Sequence, residues 1–367
     1  MTETMQKPAL LDMDLQQLTQ ALGELGQPAY RARQVMDGLL QGKTIEGMST
    51  LPKSLREQLA QRFRLGGAAI VESKESALDD TRKYLFALDD GHLIEGVLMR
   101  YHHGNTLCLS TQVGCRMGCA FCASTRGGLV RNLTAGEMLG QVLSINAALG
   151  GGRQVTNLVL MGSGEPLDNY DDVLAFLRRA TASAENHGLG ISARNISLST
   201  CGLPQGMRRL AGEGLPVTLC LSLHAADEAV RARLIPAARA YPLLEVMDAL
   251  RHYVATTGRR AIIEYALIEG TNDSAADAAK LAALLKGLQA HVNLIPLNDV
   301  PETGLKGSSR AGAERFLKWL TDKGVSATVR RTMGADIEGA CGQLRRRRLE
   351  EGATSDITQG DSSLRSE

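Results

Sequence analysis

The sequence predicts an α/β fold in which a parallel sheet curves into a partial barrel of six strand–helix units. Three observations lead to this fold class. Short apolar runs alternate with helical patterns from residue 107 onward, residues 66–107 alternate as β-strands do, and residues 1–65 show helical patterns. Repeated strand–helix units require parallel strands covered by helices, and ligands then gather at the carboxyl ends of the strands.

Residues 1–65 are predicted to form a small helical accessory domain. In residues 14–22 three leucines fall on one helical face, and residues 30–40 repeat that pattern. Pro52 stands at the start of a third helical stretch, where proline is favoured. The scattered basic side chains of this domain favour a solvated surface slightly over an RNA contact.

Residues 66–107 are predicted to form a β-hairpin extension. Two strand-like runs, residues 83–88 and 92–99, flank the sequence Asp-Asp-Gly at residues 89–91. Such a turn between strand-like runs is typical of a hairpin.

Residues 108–344 are predicted to form the barrel, followed by a basic run and a mobile tail at residues 345–367. The predicted strands are residues 107–112, 157–161, 195–199, 217–223, 261–267 and 291–297, with a seventh apolar run at 325–329. The predicted helices are residues 135–149, 171–181, 205–212, 243–256, 274–288 and 311–323.

Composition narrows the class of protein. The chain has 367 residues with 41 Lys+Arg against 40 Asp+Glu, so its net charge gives no general attraction to nucleic acid. No apolar run is long enough to span a membrane, and the first residues do not have the pattern of a secretory signal. An odd number of cysteines, seven, argues against a disulfide framework. We therefore expect a cytoplasmic protein without a membrane partner.

The strongest motif is a group of three cysteines, Cys115, Cys119 and Cys122, directly after the first barrel strand. Three thiolates on a short loop can bind three corners of a cubic iron–sulfur cluster and leave the fourth iron open to a small molecule. Structural zinc is the alternative. It requires a fourth ligand, for which His102 or His103 are the nearest candidates.

Polar and glycine residues follow several later strands, where a barrel places its ligand contacts. Gly164 and Glu165 lie in a Gly-Ser-Gly-Glu-Pro turn after the second strand, where glycine allows close approach of a ligand and the carboxylate can accept an ammonium group. The candidates after later strands are Ser199, Ser222, Leu223, His224 and Asn298. Ordinary capping of strand ends is an equally good interpretation of each of these.

Two further cysteines suggest sulfur chemistry. Cys341 lies in a small-residue segment near several arginines, which is the setting of a reactive thiol, and Cys108 lies in the first barrel strand. Cys201 and Cys220 have no comparable setting and are interpreted as structural.

The spacing Cys-x-x-x-Cys-x-x-Cys, with an aromatic residue before the last cysteine, resembles the radical S-adenosylmethionine (SAM) superfamily. Within it, the chain resembles the RlmN/Cfr family of adenosine methyltransferases from about residue 95 to residue 344. The other segments that support this resemblance are residues 105–108, 127–134, 221–225, 293–298 and 340–344. The Gly-Glu-Pro turn resembles the RlmN branch, which methylates carbon-2 of adenine, more than the Cfr branch, which methylates carbon-8. Ser163 departs from many relatives, which have methionine there.

The resemblance implies a 4Fe-4S cluster on Cys115, Cys119 and Cys122, with SAM contacting the residues at the strand ends. It implies that Cys341 becomes S-methylated by one SAM and that a second SAM supplies a radical. It further implies that Cys108 forms a transient disulfide with Cys341, and that Glu95 accepts the ring proton. Without the resemblance, Glu95 would be interpreted as an ordinary exposed strand carboxylate.

The same resemblance implies 23S rRNA and tRNA as substrates and an electron donor such as flavodoxin or ferredoxin. We expect a monomer. Basic segments around Arg126, Arg131 and Arg345–Arg348 are candidate phosphate contacts, although a solvated charge run explains the last equally well. Two alternatives remain open besides a carbon-8 methyltransferase: a radical SAM enzyme acting on a small molecule or protein, and a non-catalytic iron–sulfur RNA-binding protein.

Overall fold

The computed structural model describes residues 7–297, 304–331, 333–337 and 344. Four predicted features lie outside these residues: Asn298, Cys341, the basic run Arg345–Arg348 and the tail that extends to residue 367. No helix within the described ranges combines the length and the apolar character needed to span a bilayer.

The chain begins with a helical unit, as predicted. Its helices are α1 (Leu15–Gly23), α2 (Tyr30–Leu40) and α3 (Lys53–Arg62). Asp14 caps α1 through a capping box with Gln17, which satisfies backbone amides that the first helical turn leaves unpaired. The buried faces of these helices join the main core of the protein.

Three antiparallel strands follow and extend the main sheet. They are β1 (Ala69–Glu75), β2 (Arg82–Ala87) and β3 (Leu93–Tyr101). The predicted hairpin is β2 and β3, with Leu85 opposite Glu95, and β3 in turn pairs with the first barrel strand.

The barrel strands run parallel to one another, with helices between them. The strands are β4 (Gly104–Cys108), β7 (Val155–Leu160), β8 (Ile196–Thr200), β9 (Thr218–Ser222), β10 (Ala261–Leu267), β11 (Ala290–Pro296) and β12 (Ala327–Val329). The helices are α4 (Ala135–Ala148), α5 (Tyr170–Thr181), α6 (Pro204–Ala211), α7 (Glu228–Leu234), α8 (Leu243–Thr257), α9 (Ala275–Leu284) and α10 (Arg310–Thr321). Within the described residues β1 and β12 are the two edges of this sheet, so the barrel is partial, as predicted.

Side chains alternate between the two faces of the barrel strands. One set is apolar and packs in the main core, as Leu198, Leu221 and Ile263 do. The other set includes polar side chains and faces the interior of the barrel. It includes Ser199 of β8, which pairs with Cys220, and Ser222 of β9, which pairs with Glu264. The polar candidates therefore share one surface.

The first strand ends earlier than predicted. β4 stops at Cys108, and residues 112–114 form a separate short strand, β5 (Gln112–Gly114), paired with β6 (Leu129–Asn132). Gly114 has φ +78°, and a Cβ there would lie 2.1 Å from the Gly128 carbonyl oxygen. Glycine is therefore required where this hairpin closes, and the hairpin encloses the cysteine loop.

Candidate active site

The cysteine loop, residues 115–122, is fixed by backbone hydrogen bonds at both ends and in the middle. The Cys115 amide donates to the Gly128 carbonyl at 3.0 Å, and the Cys122 amide donates to the Cys119 carbonyl at 3.1 Å. Between them, the Ala120 amide donates to the Leu234 carbonyl at the end of α7, at 2.9 Å. The loop is thus held against α7.

The three cysteines of the loop interact electrostatically. Burial above all, together with the neighbouring Cys122 and Glu165, raises the pKa of the Cys115 thiol to about 12. Burial also raises the pKa of Cys119, with contributions from Cys122 and Cys115. The Cys115 and Cys119 thiols are therefore protonated at neutral pH without a metal, and metal binding would release their protons.

Chemically, three soft sulfur donors on one loop fit an iron–sulfur cluster. Within the described parts of the chain, no group of three or more His, Cys, Asp or Glu side chains is arranged to hold a metal ion. The loop thus offers the right donors without a completed ligand shell. His102 and His103 precede β4, at the end of that strand remote from the loop, which argues against the zinc alternative.

The turn after β7 packs against the strand before the cysteine loop. A Cβ on Gly164, which has φ +113°, would lie 2.7 Å from the Gln112 amide nitrogen. The Gln112 side chain accepts from the Glu165 amide at 2.9 Å and donates to Asp168 at 2.9 Å. Asp168 also pairs with Arg116 of the cysteine loop. The two motifs that the sequence predicts to act together are therefore adjacent.

The Glu165 carboxylate is buried and already anchored. One oxygen accepts from the Leu167 amide at 3.0 Å, and the other accepts from the Cys201 amide at 2.8 Å. Burial raises the pKa of Glu165, although these two amides oppose the shift. A carboxylate oxygen has two lone pairs, so each can also accept from a ligand.

We expect Gly164→Ala to lower the free energy of unfolding by roughly 2–5 kcal/mol, because backbone strain and overpacking add. Gly150→Ala is the matched control, because Gly150 has φ +103° but no atom within 4 Å of its added Cβ. Urea denaturation measures both variants. Equal losses would show that contact with Gln112 is not the reason for glycine at residue 164.

The ends of β8 and β9 bring the next candidates together. The Ser199 and Ser222 hydroxyls lie 3.2 Å apart and share a hydrogen bond. The Leu223 amide donates to the Glu264 carbonyl at 3.1 Å, and the Leu223 side chain is fully buried. These residues thus form one continuous edge of the barrel.

His224 connects this edge to the cysteine loop. Its φ is +56°, and its Nδ1 accepts from the Ala266 amide at 2.9 Å, so a neutral ring has its proton on Nε2. The ring packs edge-on against Phe121 of the loop, with centroids 4.7 Å apart. Burial, aided by Arg231, lowers the pKa of His224 to about 3.

This lowered pKa predicts a dependence of stability on pH. The unfolded chain binds a proton at His224 near its ordinary pKa and the folded chain does not, so stability falls as pH drops from about 6.5 towards 3, by at most about 1.4 kcal/mol per pH unit. His224→Asn removes the titrating ring but tolerates positive φ. The stability advantage of the wild type over this variant should shrink on acidification. An advantage that stays constant down to about pH 4.5 would contradict the prediction.

Glu95 and Cys108 lie on the inner face of the sheet. Val97 of β3 pairs with Cys108 of β4, and Glu95 lies two residues before Val97 on the same face. Contrary to the pattern-based expectation of an exposed carboxylate, Glu95 is buried and pairs with the fully buried Lys83 at 3.2 Å. Lys83 is not among the residues predicted for the site, and its only sequence signal is that a lysine stands within an apolar strand.

Arg131, one of the predicted phosphate contacts, forms ion pairs within the protein. The Arg131 guanidinium donates to both oxygens of Glu137 at 2.8 Å and to Asp90 at 2.6 Å. These partners, Glu137 first, raise the pKa of Arg131. Its charge is therefore neutralised within the protein, and the expectation that it holds phosphate is not supported.

Comparison with known proteins decides the family. A model of the radical SAM superfamily matches residues 109–282, and a model described as "Ribosomal RNA large subunit methyltransferase N-terminal domain" matches residues 9–65. A protein named "Probable dual-specificity RNA methyltransferase RlmN" from Clostridium perfringens (strain 13 / Type A) is 47% identical over 339 residues, which are 92% of this chain and 96% of the relative. The chain belongs to the RlmN family of radical SAM RNA methyltransferases.

A second relative and a solved structure agree with this assignment. A relative with the same name from Alkaliphilus oremlandii is 46% identical over 94% of this chain and 100% of its own. The crystal structure of a radical SAM methyltransferase from Sphaerobacter thermophilus has a TM-score of 0.87 and 44% identity, covering 92% of this chain and 98% of that one. The predicted family and fold class are therefore confirmed.

Proposed function

We propose that this protein uses a 4Fe-4S cluster and SAM to methylate carbon-2 of an adenosine in the peptidyl-transferase region of 23S rRNA. We also propose the adenosine 3′ of the anticodon in tRNA as a substrate. The observation that carries the proposal is the adjacency of the cysteine loop and the Gly-Glu-Pro turn, through Gln112, Asp168 and Arg116. The relatives' name, a dual-specificity RNA methyltransferase, supports it.

In this proposal the cofactor ligands lie at the carboxyl edge of the barrel. Cys115, Cys119 and Cys122 hold the cluster. The SAM contacts are Gly164, Glu165, Ser199, Ser222, Leu223, His224 and Asn298. Together the two cofactors supply a carbon-centred radical that removes hydrogen from a methyl group, a reaction that no protein side chain provides.

Two cysteines perform the sulfur chemistry. Cys341 receives the methyl group from one SAM and presents it to the base. Once that carbon has lost a hydrogen and is bonded to carbon-2 of the base, Cys108 attacks the Cys341 sulfur. A disulfide forms while the bond from that sulfur to the transferred carbon breaks, and the carbon keeps the electron pair and takes up a proton to become the methyl group of the product. Met333, eight residues before Cys341, packs against a hydrophobic group formed by Val97, Met99 and Cys108. This contact supports the proposal that Cys341 reaches Cys108. A transient disulfide suits a reducing compartment.

Glu95 is the proposed acceptor of the ring proton. Its burial on the same sheet face as Cys108 supports this role, because a base must lie beside the reacting carbon and away from bulk water. The Lys83 ammonium, 3.2 Å away, fixes the direction of the carboxylate.

The substrate base must leave its stack to enter the barrel. We propose that residues 1–65 bind RNA, and that Arg126 and Arg345–Arg348 contact phosphates. The remaining proposals are a cytoplasmic monomer and a flavodoxin or ferredoxin as electron donor.

The experiment is product analysis with anaerobically reconstituted protein, a reductant and SAM. A 23S rRNA fragment and tRNA are modified side by side, digested to nucleosides and analysed by mass spectrometry. We expect 2-methyladenosine from both RNAs.

Each alternative has its own outcome. Recovery of 8-methyladenosine alone would assign the protein to the carbon-8 chemistry. Methylated product from rRNA but not from tRNA would exclude tRNA as a substrate. An iron-loaded, SAM-cleaving protein that methylates neither RNA would overturn the proposed function.

A further inference from the structure

Arg231 has the largest fully buried side chain among the described residues, and its hydrogen bonding is incomplete. Its Nη2 donates to the Cys201 carbonyl. Its Nε and Nη1 are also buried, yet neither has an acceptor among the described residues. Burial lowers the pKa of this guanidinium. A buried cation with unused donors is costly unless an anion completes its surroundings.

No ion pair within the described part of the chain supplies that anion. None of the salt bridges between described residues includes Arg231. Glu228, the carboxylate nearest to it on α7, accepts from the Leu243 amide with both oxygens, at 3.2 and 3.0 Å. The charge of Arg231 therefore remains available to something bound nearby.

Arg231 lies on α7, the helix against which the cysteine loop is held. Arg231 and Leu234 lie about one turn apart on α7 and share a face. The Leu234 carbonyl accepts from Ala120, between Cys119 and Cys122, and the Met117 carbonyl accepts from Ala237 just beyond α7, at 3.3 Å. Cys201, Glu228 and Cys119 favour the charged form of Arg231, although Glu228 is not hydrogen-bonded to it. The guanidinium thus lies behind the cysteine loop.

We propose that Arg231 is the fixed counter-charge of the iron–sulfur cluster held by that loop, and that it raises the reduction potential of the cluster. A cubic cluster with three thiolates is an anion and becomes more negative on reduction. A cation fixed in a medium of low dielectric constant therefore stabilises the reduced state more than the oxidised state. This inference rests on the proposed cluster, and it concerns the electron that must enter before SAM is cleaved.

The test compares cluster potentials in the full-length, anaerobically reconstituted protein without SAM. A redox titration followed by electron paramagnetic resonance gives the midpoint potential of the wild type and of Arg231→Met. We expect equal iron and sulfide content and a more negative midpoint potential in the variant. Arg231→Lys, which keeps the charge, should stay near the wild-type potential.

The matched control is Arg179→Met. Arg179 is half-buried and donates to the Leu11 carbonyl, but it lies on α5 against the N-terminal unit. Its loss should leave the potential unchanged. If Arg231→Met does not fold, Arg231→Gln replaces it, because glutamine removes the charge but keeps a donor for the Cys201 carbonyl.

Two results would overturn the inference. One is an uncharged Arg231 variant that holds a full cluster at the wild-type potential. The other is an unchanged potential with weaker binding of radiolabelled SAM, which would assign the guanidinium to the SAM carboxylate. A wild-type protein that takes up no iron would instead refute the proposed function.

Discussion

Replacing Cys119 by alanine is expected to abolish cluster binding and, with it, all SAM cleavage. Cys119 is the middle cysteine of the loop and interacts electrostatically with both Cys115 and Cys122. Two thiolates cannot replace the three that a site-differentiated cubic cluster requires. Iron and sulfide content after anaerobic reconstitution should fall to background, and the visible absorbance of the cluster should disappear.

The control for this variant is Cys220→Ala. Cys220 is a buried thiol in the middle of β9, so its loss should cost only about 1 kcal/mol of stability and leave iron content unchanged. Normal iron uptake by the Cys119 variant would show that the loop does not bind the cluster through this residue.

The second large effect is expected from Cys108→Ala. In this variant Cys341 should still be methylated and become bonded to the base through the transferred carbon. The product should not be released, because no second sulfur is present to break the bond between Cys341 and that carbon. A covalent protein–RNA adduct should therefore accumulate, visible as a species of retarded mobility in a denaturing gel that resists reduction by thiols.

Cys341→Ala is the companion variant, because it removes the proposed attachment point itself. We expect neither product nor adduct from it, and neither adduct nor product from the double variant. Free 2-methyladenosine released at the wild-type rate by Cys108→Ala would contradict the resolving role.

Much of this architecture was readable in the sequence because periodicity and burial agree. Parallel strands that alternate with helices were predicted near their observed positions, as β10 (Ala261–Leu267) shows. The first strand is predicted at residues 107–112 but spans Gly104–Cys108, because the backbone leaves the sheet after Cys108 and pairs with β6 from Gln112 onward. Periodicity describes which side chains are buried, but it does not show which strand a residue pairs with.

The electrostatic environment of the site could not be read in this way. The burial of Glu95 and its pairing with Lys83 depend on the pairing of β2 with β3, and the one local signal, a lysine within an apolar strand, does not identify the partner of that lysine. α7 was missed because seven residues are too few for a clear helical period. Arg231 was therefore missed as well, and its unused donors became evident only in three dimensions.

The most direct test of the central claim is whether the reduced, reconstituted protein splits SAM. We predict that the wild type releases 5′-deoxyadenosine and methionine from SAM under anaerobic conditions, and that the Cys119→Ala variant releases neither. A wild-type protein that binds zinc at the cysteine loop, or that holds a complete cluster and leaves SAM intact, would contradict the account.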